Sequence, residues 1–272
     1  MAKIRFSPNL HHLFKELTPH RRLAAVRKCG CDEVEWHMPF ALTKEELKQQ
    51  LDDHGLEFIY FVVPVDWDKG VWGLGAQPGQ EAEFRKRASI ALEYAALCDI
   101  YSINVGAGPV PRGESKERCV DTYVKNLIWM SEQAKGLRLK LLLEGVAAER
   151  VPDWAMQTMA EANAIRRATG QDRVQLVFDT YQLRWQEKGP LTPIMDEYWE
   201  HIGHIQIGNT PKRFEPGVGE MDLLWLVERA YAKGWQGCVG LEHDPSMDTW
   251  SSLMWMNRYG YTVDPKNRPA DS

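Results

Sequence analysis

The sequence predicts a (β/α)8 TIM barrel, formed by a single domain that spans residues 1–272. Eight short apolar runs alternate with segments of helical period, an order typical of parallel βα units. Eight such units in a chain of this length suit a closed parallel barrel. The runner-up is an open doubly wound sheet. No G-x-G-x-x-G follows the first strand, which disfavours a dinucleotide-binding version of that fold.

Most of the predicted strands are short apolar runs that end at a glycine, a proline or a polar residue. Pro8 and Pro64 end the first and third strands, because proline has no amide hydrogen to donate to a sheet. The run LRLKLLLEG is dense in leucine, which indicates a strand buried on both faces. The predicted strands cover residues 3–7, 34–36, 56–63, 100–105, 137–145, 174–179, 202–207 and 238–242.

Signals at the segment ends place the predicted helices between these strands. Thr43 and Glu46 have the spacing of a capping box, Gly55 is a typical helix stop, and Pro152 suits a first helical turn. The predicted helices cover residues 19–29, 43–54, 81–98, 115–134, 153–169, 193–201, 222–233 and 247–258. Residues 65–80 form a long loop, a kind of segment that often carries function.

Composition excludes several classes of partner. The net charge of −5, with both signs dispersed, gives no basic footprint for nucleic acid. No apolar run is long enough to span a membrane, and the first residues lack the apolar core of a signal peptide. The five cysteines have no metal-binding spacing, so we expect free buried thiols, a reducing compartment and a cytoplasmic protein.

Polar side chains stand at or near the C-terminal ends of four successive apolar runs. They are Glu144, Asp179, Gln206 and Glu242. In a closed parallel barrel these strand ends meet at the face where active sites are found. A solvent-facing acid explains any one of them alone, but it explains four in series poorly. Carboxylates and a carboxamide suit a hard cation, so we predict one divalent metal ion, Mg²⁺ or Mn²⁺.

Two glutamates beside such an ion suggest proton transfer next to a carbonyl. One of the two, Glu144 or Glu242, would remove a proton from carbon, and the other would return it. This is the chemistry of aldose–ketose isomerisation or ketose epimerisation through an enediolate. Arg213 follows strand seven and is a candidate to bind a substrate carboxylate or substrate hydroxyls. His204, His11 and His12 are weaker candidates, since a hydrogen-bonded core histidine is the commoner case.

The sequence resembles the hydroxypyruvate isomerase group of the xylose-isomerase-like TIM barrels over nearly its whole length. The matching pieces are FSPNLHHLF, GLGAQPGQEAEFR, LLLEG, VFDTYQ, IGHIQIGNTPKRFEPGVGEMD and GLEHDP. The resemblance implies that Glu144, Asp179, Gln206 and Glu242 bind the metal and that Glu144 and Glu242 form the catalytic pair. It also implies that Arg213 binds substrate, and the matching pieces add Asn9 and Gln182 as substrate-binding candidates.

Departures from the family pattern keep other enzymes open. Gly145 and Ala147 follow the first glutamate where the family has Pro and Asn, Gln182 replaces a histidine, and Val62 replaces an asparagine. The leading hypothesis is an isomerase acting on a small-molecule sugar or hydroxy-keto acid. The alternatives are a metal-dependent lyase or C-glycoside-cleaving enzyme acting on a keto sugar, with a possible second subunit, and a ketose 3-epimerase. Phosphoester cleavage and a catalytically dead sugar-binding protein rank lower.

An apolar cluster beyond the last strand predicts a homo-oligomer. Its members are Trp250, Met254, Trp255, Met256 and Tyr259. This is more apolar surface than an outer helix alone should need. Packing against the barrel is the competing explanation and is nearly as good.

Overall fold

The computed structural model describes residues 3–187 and 189–268, and the chain divides into two compact units. The terminal unit combines Met1–Ile59 with Ile205–Ser272, and the central unit is Tyr60–His204. The prediction of a single domain stays a prediction. Strands and helices are numbered here along the chain.

All the strands are short, as their apolar runs predict. They are β1 Phe6–Pro8, β2 Glu33–Glu35, β3 Glu57–Val62, β4 Ser102–Asn104, β5 Lys140–Leu143, β6 Val174–Asp179, β7 Ile202–Ile207 and β8 Val239–Leu241. The first three residues of β3 and the last three of β7 belong to the terminal unit, and the rest of each strand belongs to the central unit.

The helices follow the strands and vary in length. They are α1 Pro19–Lys28, α2 Lys44–His54, α3 Glu81–Cys98, α4 Lys116–Gln133, α5 Met159–Thr169, α6 Thr180–Gln186, α7 Leu191–Tyr198, α8 Leu223–Ala232 and α9 Thr249–Leu253. Single 3₁₀ segments occupy Trp67–Lys69, Trp199–His201, Met254–Tyr259 and Pro265–Asn267. Within the described residues, none of the helices has the length and apolarity that a membrane crossing requires.

In the terminal unit, parallel pairing aligns the ends of three strands. Pro8 of β1 and Ile207 of β7 both lie opposite Leu241 of β8. Strand β2 joins β1 through a parallel bridge between Asn9 and Glu35, where the Leu10 amide donates to the Glu35 carbonyl at 2.7 Å. The residues that follow these strands therefore stand side by side.

In the central unit, β3, β4, β5 and β6 pair in chain order and in parallel. Val62 lies opposite Asn104, Asn104 opposite Leu142, and Leu143 opposite Leu176. Helices α3, α4 and α5 pack against one another in the same order. The register brings the end of β4 beside the end of β5, which sets the position of the site residues below.

Two helices differ from the prediction for physical reasons. The helix predicted over residues 153–169 begins only at Met159, because Asp153 adopts a positive φ of 56° and Trp154 pairs with Pro109. Thr158 and Glu161 form a capping box that starts α5. Helix α6 was not predicted; the Asp179 side chain caps its N-terminus by accepting from the Tyr181 amide at 2.8 Å.

Most of the apolar cluster beyond β8 is buried within the terminal unit, whereas the prediction of a homo-oligomer assumed that it was exposed. Trp250 and Met256 are fully buried, and the Trp255 and Tyr259 rings meet Phe6 edge-on. Met254 remains about half exposed. The cluster therefore gives little support to the predicted homo-oligomer, which stays a prediction. All five cysteines are buried free thiols, as expected.

Candidate active site

Glu144 is the residue immediately after β5, and a side chain from β4 holds it. Asn104 donates through Nδ2 to Glu144 Oε2 at 2.6 Å and also to the Tyr60 hydroxyl at 2.6 Å. Tyr60, on β3, reaches the same carboxylate oxygen at 3.5 Å. The Trp154 indole donates to the Glu144 carbonyl at 3.3 Å. The Glu144 side chain is therefore fixed by polar groups of two neighbouring strands.

Asp179, the last residue of β6, lies beside Glu144. A carboxylate oxygen of Glu144 lies within 4.8 Å of a carboxylate oxygen of Asp179. This distance is short enough for both groups to bind one cation. Asp179 Oδ1 accepts from the amides of Tyr181 and Gln182 at 2.8 and 3.4 Å. Gln182 is turned toward the loop after β5, where its Oε1 accepts from the Ala147 amide at 2.9 Å. The predicted residues Glu144, Asp179 and Gln182 thus come together in the central unit.

In the terminal unit, Glu242 follows β8 and is surrounded by cationic or polar groups. Arg213 donates through Nε to the Glu242 carbonyl at 2.9 Å and through a terminal nitrogen to the Glu242 carboxylate. His37 Nε2 lies 3.3 Å from the carboxylate, and His12 Nε2 lies 3.7 Å from it. All four side chains are buried.

These neighbours decide the protonation state of Glu242. Burial raises the pKa of a carboxyl group, but here the Arg213 guanidinium and the His37 and His12 imidazoles outweigh burial. The pKa of Glu242 is held well below its usual range. Glu242 is therefore a carboxylate at neutral pH. His11 stays neutral, because burial and the adjacent imidazoles of His37 and His12 lower its pKa to about 2.

The loop after β7 delivers Arg213 to Glu242. It contains a cis peptide bond between Thr210 and Pro211, and Arg213 itself has a positive φ of 62°. Asn209 ties the loop to its far end, accepting from the Met221 amide at 2.9 Å and donating to the Met221 carbonyl at 3.0 Å. Gly208 leaves room for the Arg213 side chain to pass, since a Cβ at position 208 would lie 2.9 Å from Arg213 Cγ.

Gln206, on β7, offers one buried oxygen atom without a partner. Its Nε2 donates to Glu35 Oε2 at 3.0 Å, whereas its Oε1 is buried and accepts no hydrogen bond from the residues that the structure describes. A buried orphan acceptor is costly unless a ligand satisfies it. An oxygen-binding cation is such a ligand, so the Gln206 environment fits a metal site.

The other predicted side chains have defined positions. Asn9 accepts from the His11 amide at 3.0 Å, and its Nδ2 is buried with no acceptor among the described residues. His204 stacks on Tyr60 with ring centroids 5.1 Å apart. His243, the residue after Glu242, is buried and contacts Ser252 Oγ through Nε2 at 3.3 Å.

Sequence reasoning missed four side chains of the site, namely Glu35, His37, Tyr60 and Asn104. Glu35 and Asn104 are the last residues of β2 and β4. The rule that selected Glu144 and its counterparts, a polar residue at the end of an apolar run, selects both of them when it is applied to all eight strands. His37 also carries this signal, since it directly follows the predicted strand 34–36, whereas Tyr60 lies inside its strand and carries none.

The chain matches known proteins along nearly its whole length. The family model described as xylose isomerase-like TIM barrel matches residues 23–259. The 2-oxo-tetronate isomerase of Haemophilus influenzae is 30% identical over 256 residues, which cover 94% of this chain and 99% of that protein. The hydroxypyruvate isomerase of Escherichia coli is 32% identical over 260 residues, with coverage of 94% and 99%.

A solved structure supports the same fold. The crystal structure entitled AP endonuclease, family 2, from Brucella melitensis has a TM-score of 0.90 and 26% identity, and covers 94% of this chain and 99% of that one. Together with the family model, it confirms the predicted fold class.

Proposed function

The chain belongs to the hydroxypyruvate isomerase group of the xylose isomerase-like TIM-barrel family and is an isomerase, and from this premise we propose its substrate class and mechanism. The substrate is a small hydroxy-keto acid. The reaction removes a proton from the hydroxyl-bearing carbon beside the carbonyl and returns a proton to the former carbonyl carbon, through an enediolate, while the hydroxyl proton passes to the former carbonyl oxygen. The named substrates of the two relatives, hydroxypyruvate and 2-oxo-tetronate, are both 2-oxo acids with neighbouring hydroxyl groups.

The residues proposed to hold the metal are Glu144, Asp179, Gln206 and Glu242. The single observation that carries the metal is the buried oxygen of Gln206, which has no hydrogen-bond partner among the described residues. The proximity of the Glu144 and Asp179 carboxylates adds to it. In the barrel fold, active-site residues come from the C-terminal ends of several strands. When bound, Mg²⁺ or Mn²⁺ supplies a Lewis acid that polarises the substrate oxygens.

Glu144 and Glu242 are proposed to move the proton. Glu242 is the proposed acceptor of the proton from carbon, since Arg213 and His37 keep its carboxylate ionised. Asn104 fixes the orientation of the Glu144 carboxylate, so that this group can return the proton to the neighbouring carbon. A positioned acid or base contributes roughly 10²- to 10⁴-fold in rate.

Arg213, Asn9 and Gln182 are proposed to bind the substrate. The planar guanidinium of Arg213 suits a carboxylate, which it can bind with two parallel hydrogen bonds. The buried Nδ2 of Asn9 is a donor in need of an acceptor, which a substrate oxygen would provide. Gln182 is held by the Ala147 amide, so it presents one fixed side-chain orientation to a ligand.

The proposal is tested by assaying the purified protein with Mn²⁺ and, separately, hydroxypyruvate and 2-oxo-tetronate, and by following the products by proton NMR. We expect isomerisation of at least one of the two 2-oxo acids and its loss when a chelator removes the metal. Full activity in chelator would contradict the metal. Absence of turnover with both acids would contradict the substrate class.

The same NMR readout, with ketohexoses and keto sugars as the substrates, separates the alternative chemistries. Gln182, which stands where the family has a histidine, accepts a hydrogen bond from the Ala147 amide, and this departure keeps a 3-epimerase and a lyase as the alternatives. A 3-epimerase would interconvert ketohexoses, and a lyase would release a fragment from a keto sugar, with or without a second subunit. The net charge of −5 argues against a nucleic-acid substrate.

A further inference from the structure

Glu35 is a fully buried carboxylate at the end of β2 that the mechanism above does not use. Ser7 Oγ donates to Glu35 Oε1 at 2.5 Å, and Gln206 Nε2 donates to Glu35 Oε2 at 3.0 Å. These contacts join β1, β2 and β7 through side chains. Burying a carboxylate costs free energy unless other groups compensate it. The position of Glu35 beside Gln206 therefore needs a physical reason.

The close approach of Glu35 and Gln206 depends on the glycine between them. A Cβ at Gly240 would lie 2.5 and 2.6 Å from the two oxygens of Glu35 and 2.8 Å from Gln206 Cγ. Any larger residue on β8 at this point would push the two side chains apart. The chain therefore leaves the space that their contact needs.

A carboxamide has an oxygen end and a nitrogen end of nearly the same shape, so it needs a partner that fixes which end faces a ligand. A carboxylate fixes it, since carboxylate oxygens accept hydrogen bonds and repel another oxygen. With Nε2 held by Glu35, the Gln206 Oε1 must face the opposite side. That oxygen is the buried atom that lacks a donor among the described residues.

We propose that Glu35 is a positioning residue that locks the Gln206 carboxamide with its oxygen presented to the metal, a role that rests on the metal site of the proposed function. Outer groups of this kind orient the ligands of a metal and typically change its affinity by about 10- to 100-fold when mutated. Ser7 in turn anchors Glu35 through its hydroxyl.

The test is Mn²⁺ affinity, measured by the electron paramagnetic resonance signal of free Mn²⁺ on the folded protein without substrate. Glu35→Gln offers Gln206 a donor as well as an acceptor, so the carboxamide can turn over. We expect Glu35→Gln to weaken Mn²⁺ binding by about 10- to 100-fold. Glu33→Gln is the matched control on the same strand; Glu33 pairs with Arg5 at 2.8 Å, and we expect wild-type affinity.

A double-mutant cycle shows whether Glu35 acts through Gln206. In a Gln206→Ala background, Glu35→Gln should change the affinity little. Wild-type affinity in Glu35→Gln, or the same loss in both backgrounds, would overturn the positioning role and leave the metal site standing. If the wild-type protein binds no Mn²⁺, the metal site of the proposed function and the positioning role fall together.

If Glu35→Gln fails to fold, a crystal structure of the wild-type protein with Mn²⁺ tests the orientation of the Gln206 carboxamide directly. We expect Gln206 Oε1 on the ion and Nε2 on Glu35. A Gln206 side chain that contacts the ion through nitrogen, or that has left Glu35, would contradict the positioning role.

Discussion

At the scale of single residues, the orientation of Glu144 depends on one amide group. Asn104 Nδ2 lies 2.6 Å from Glu144 Oε2, and a hydrogen bond to a charged group is worth about 1.5 to 3 kcal/mol. We therefore expect Asn104→Ala to lower kcat by roughly 10- to 100-fold. Steady-state kinetics of the folded variant measure this loss.

Asn126→Ala is the matched control for that variant. Asn126 is also a buried asparagine, but it donates to the Gly75 carbonyl at 2.9 Å, on α4 rather than at a strand end. The control should lose stability in urea unfolding and keep its kcat. An equal fall of kcat in both variants would show that Asn104 supports folding and has no specific role at Glu144.

At the scale of secondary-structure elements, we expect the loop 208–221 to need a glycine at position 219 in order to position Arg213. A Cβ at Gly219 would lie 2.5 Å from both Asn209 Cγ and the Thr210 carbonyl oxygen, at a φ of 137°. We expect Gly219→Ala to displace the loop and to raise KM. Steady-state kinetics with the substrate found above give the measurement.

Gly217→Ala separates crowding from backbone strain in the same loop. Gly217 also has a positive φ, 89°, but a Cβ there meets nothing within 4 Å. Both variants carry the cost of an alanine in this region of φ, whereas only Gly219→Ala crowds Asn209. A KM that rises equally in the two variants would refute the role of the Asn209 contact.

Tyr231, near the end of α8, hydrogen-bonds to residues that precede β1 and β8. We expect it to make the free energy of unfolding fall at alkaline pH. Its hydroxyl accepts from the Arg5 amide at 2.9 Å and donates to the Gly237 carbonyl at 2.7 Å. Burial, opposed by the hydrogen bond from Arg5, raises the pKa of Tyr231 to about 12. An unfolded tyrosine has a pKa of about 10.

Because the folded protein holds this proton more tightly, the stabilisation is complete below pH 10 and is lost as the pH rises toward 12. Tyr231→Phe should flatten the fall of the free energy of unfolding across this window. Urea unfolding at several pH values measures the two slopes. Identical slopes in the wild type and the variant would contradict the raised pKa.

The sequence predicts elements well where the signals are local, and it fails where two signals compete. The α5 boundary was predicted from Pro152, but the true start carries its own signal in the capping box of Thr158 and Glu161. Helix α6 was missed because Asp179 was considered only as a candidate metal ligand, whereas the structure shows its side chain capping that helix.

The site was predicted in the same uneven way. Glu144, Asp179, Gln206 and Glu242 follow from strand ends and composition, because a buried carboxylate or carboxamide needs a compensating partner. The contacts of Arg213 with Glu242 and of Asn104 with Glu144 join residues far apart in the chain. They depend on strand register and on the path of the loop 208–221, which no local pattern encodes.

At the scale of the whole molecule, we predict a homo-oligomer in solution. Met254 and Trp225 are each about half exposed, which leaves apolar side chains available to a second copy. Light scattering at micromolar concentration measures the mass. A single species at 31.3 kDa, the mass of one chain, would exclude the oligomer.

The catalytic pair is the central claim for the whole enzyme. If Glu144 and Glu242 both serve one proton relay, Glu144→Gln and Glu242→Gln should each lower kcat by at least roughly 10²- to 10⁴-fold. The double variant should lose little more than either single variant, because residues that act as a unit are not additive. Losses that multiply in the double variant would show that the two glutamates act independently.

The most direct measurement of this claim is deuterium incorporation at the substrate carbon during turnover in D₂O, followed by NMR with the wild type and both single variants. The wild type should place solvent deuterium on the carbon next to the carbonyl, and Glu144→Gln and Glu242→Gln should each fail to do so while still binding Mn²⁺. Turnover by the wild type without deuterium at carbon, or wild-type exchange in Glu242→Gln with the metal bound, would contradict the two-glutamate mechanism.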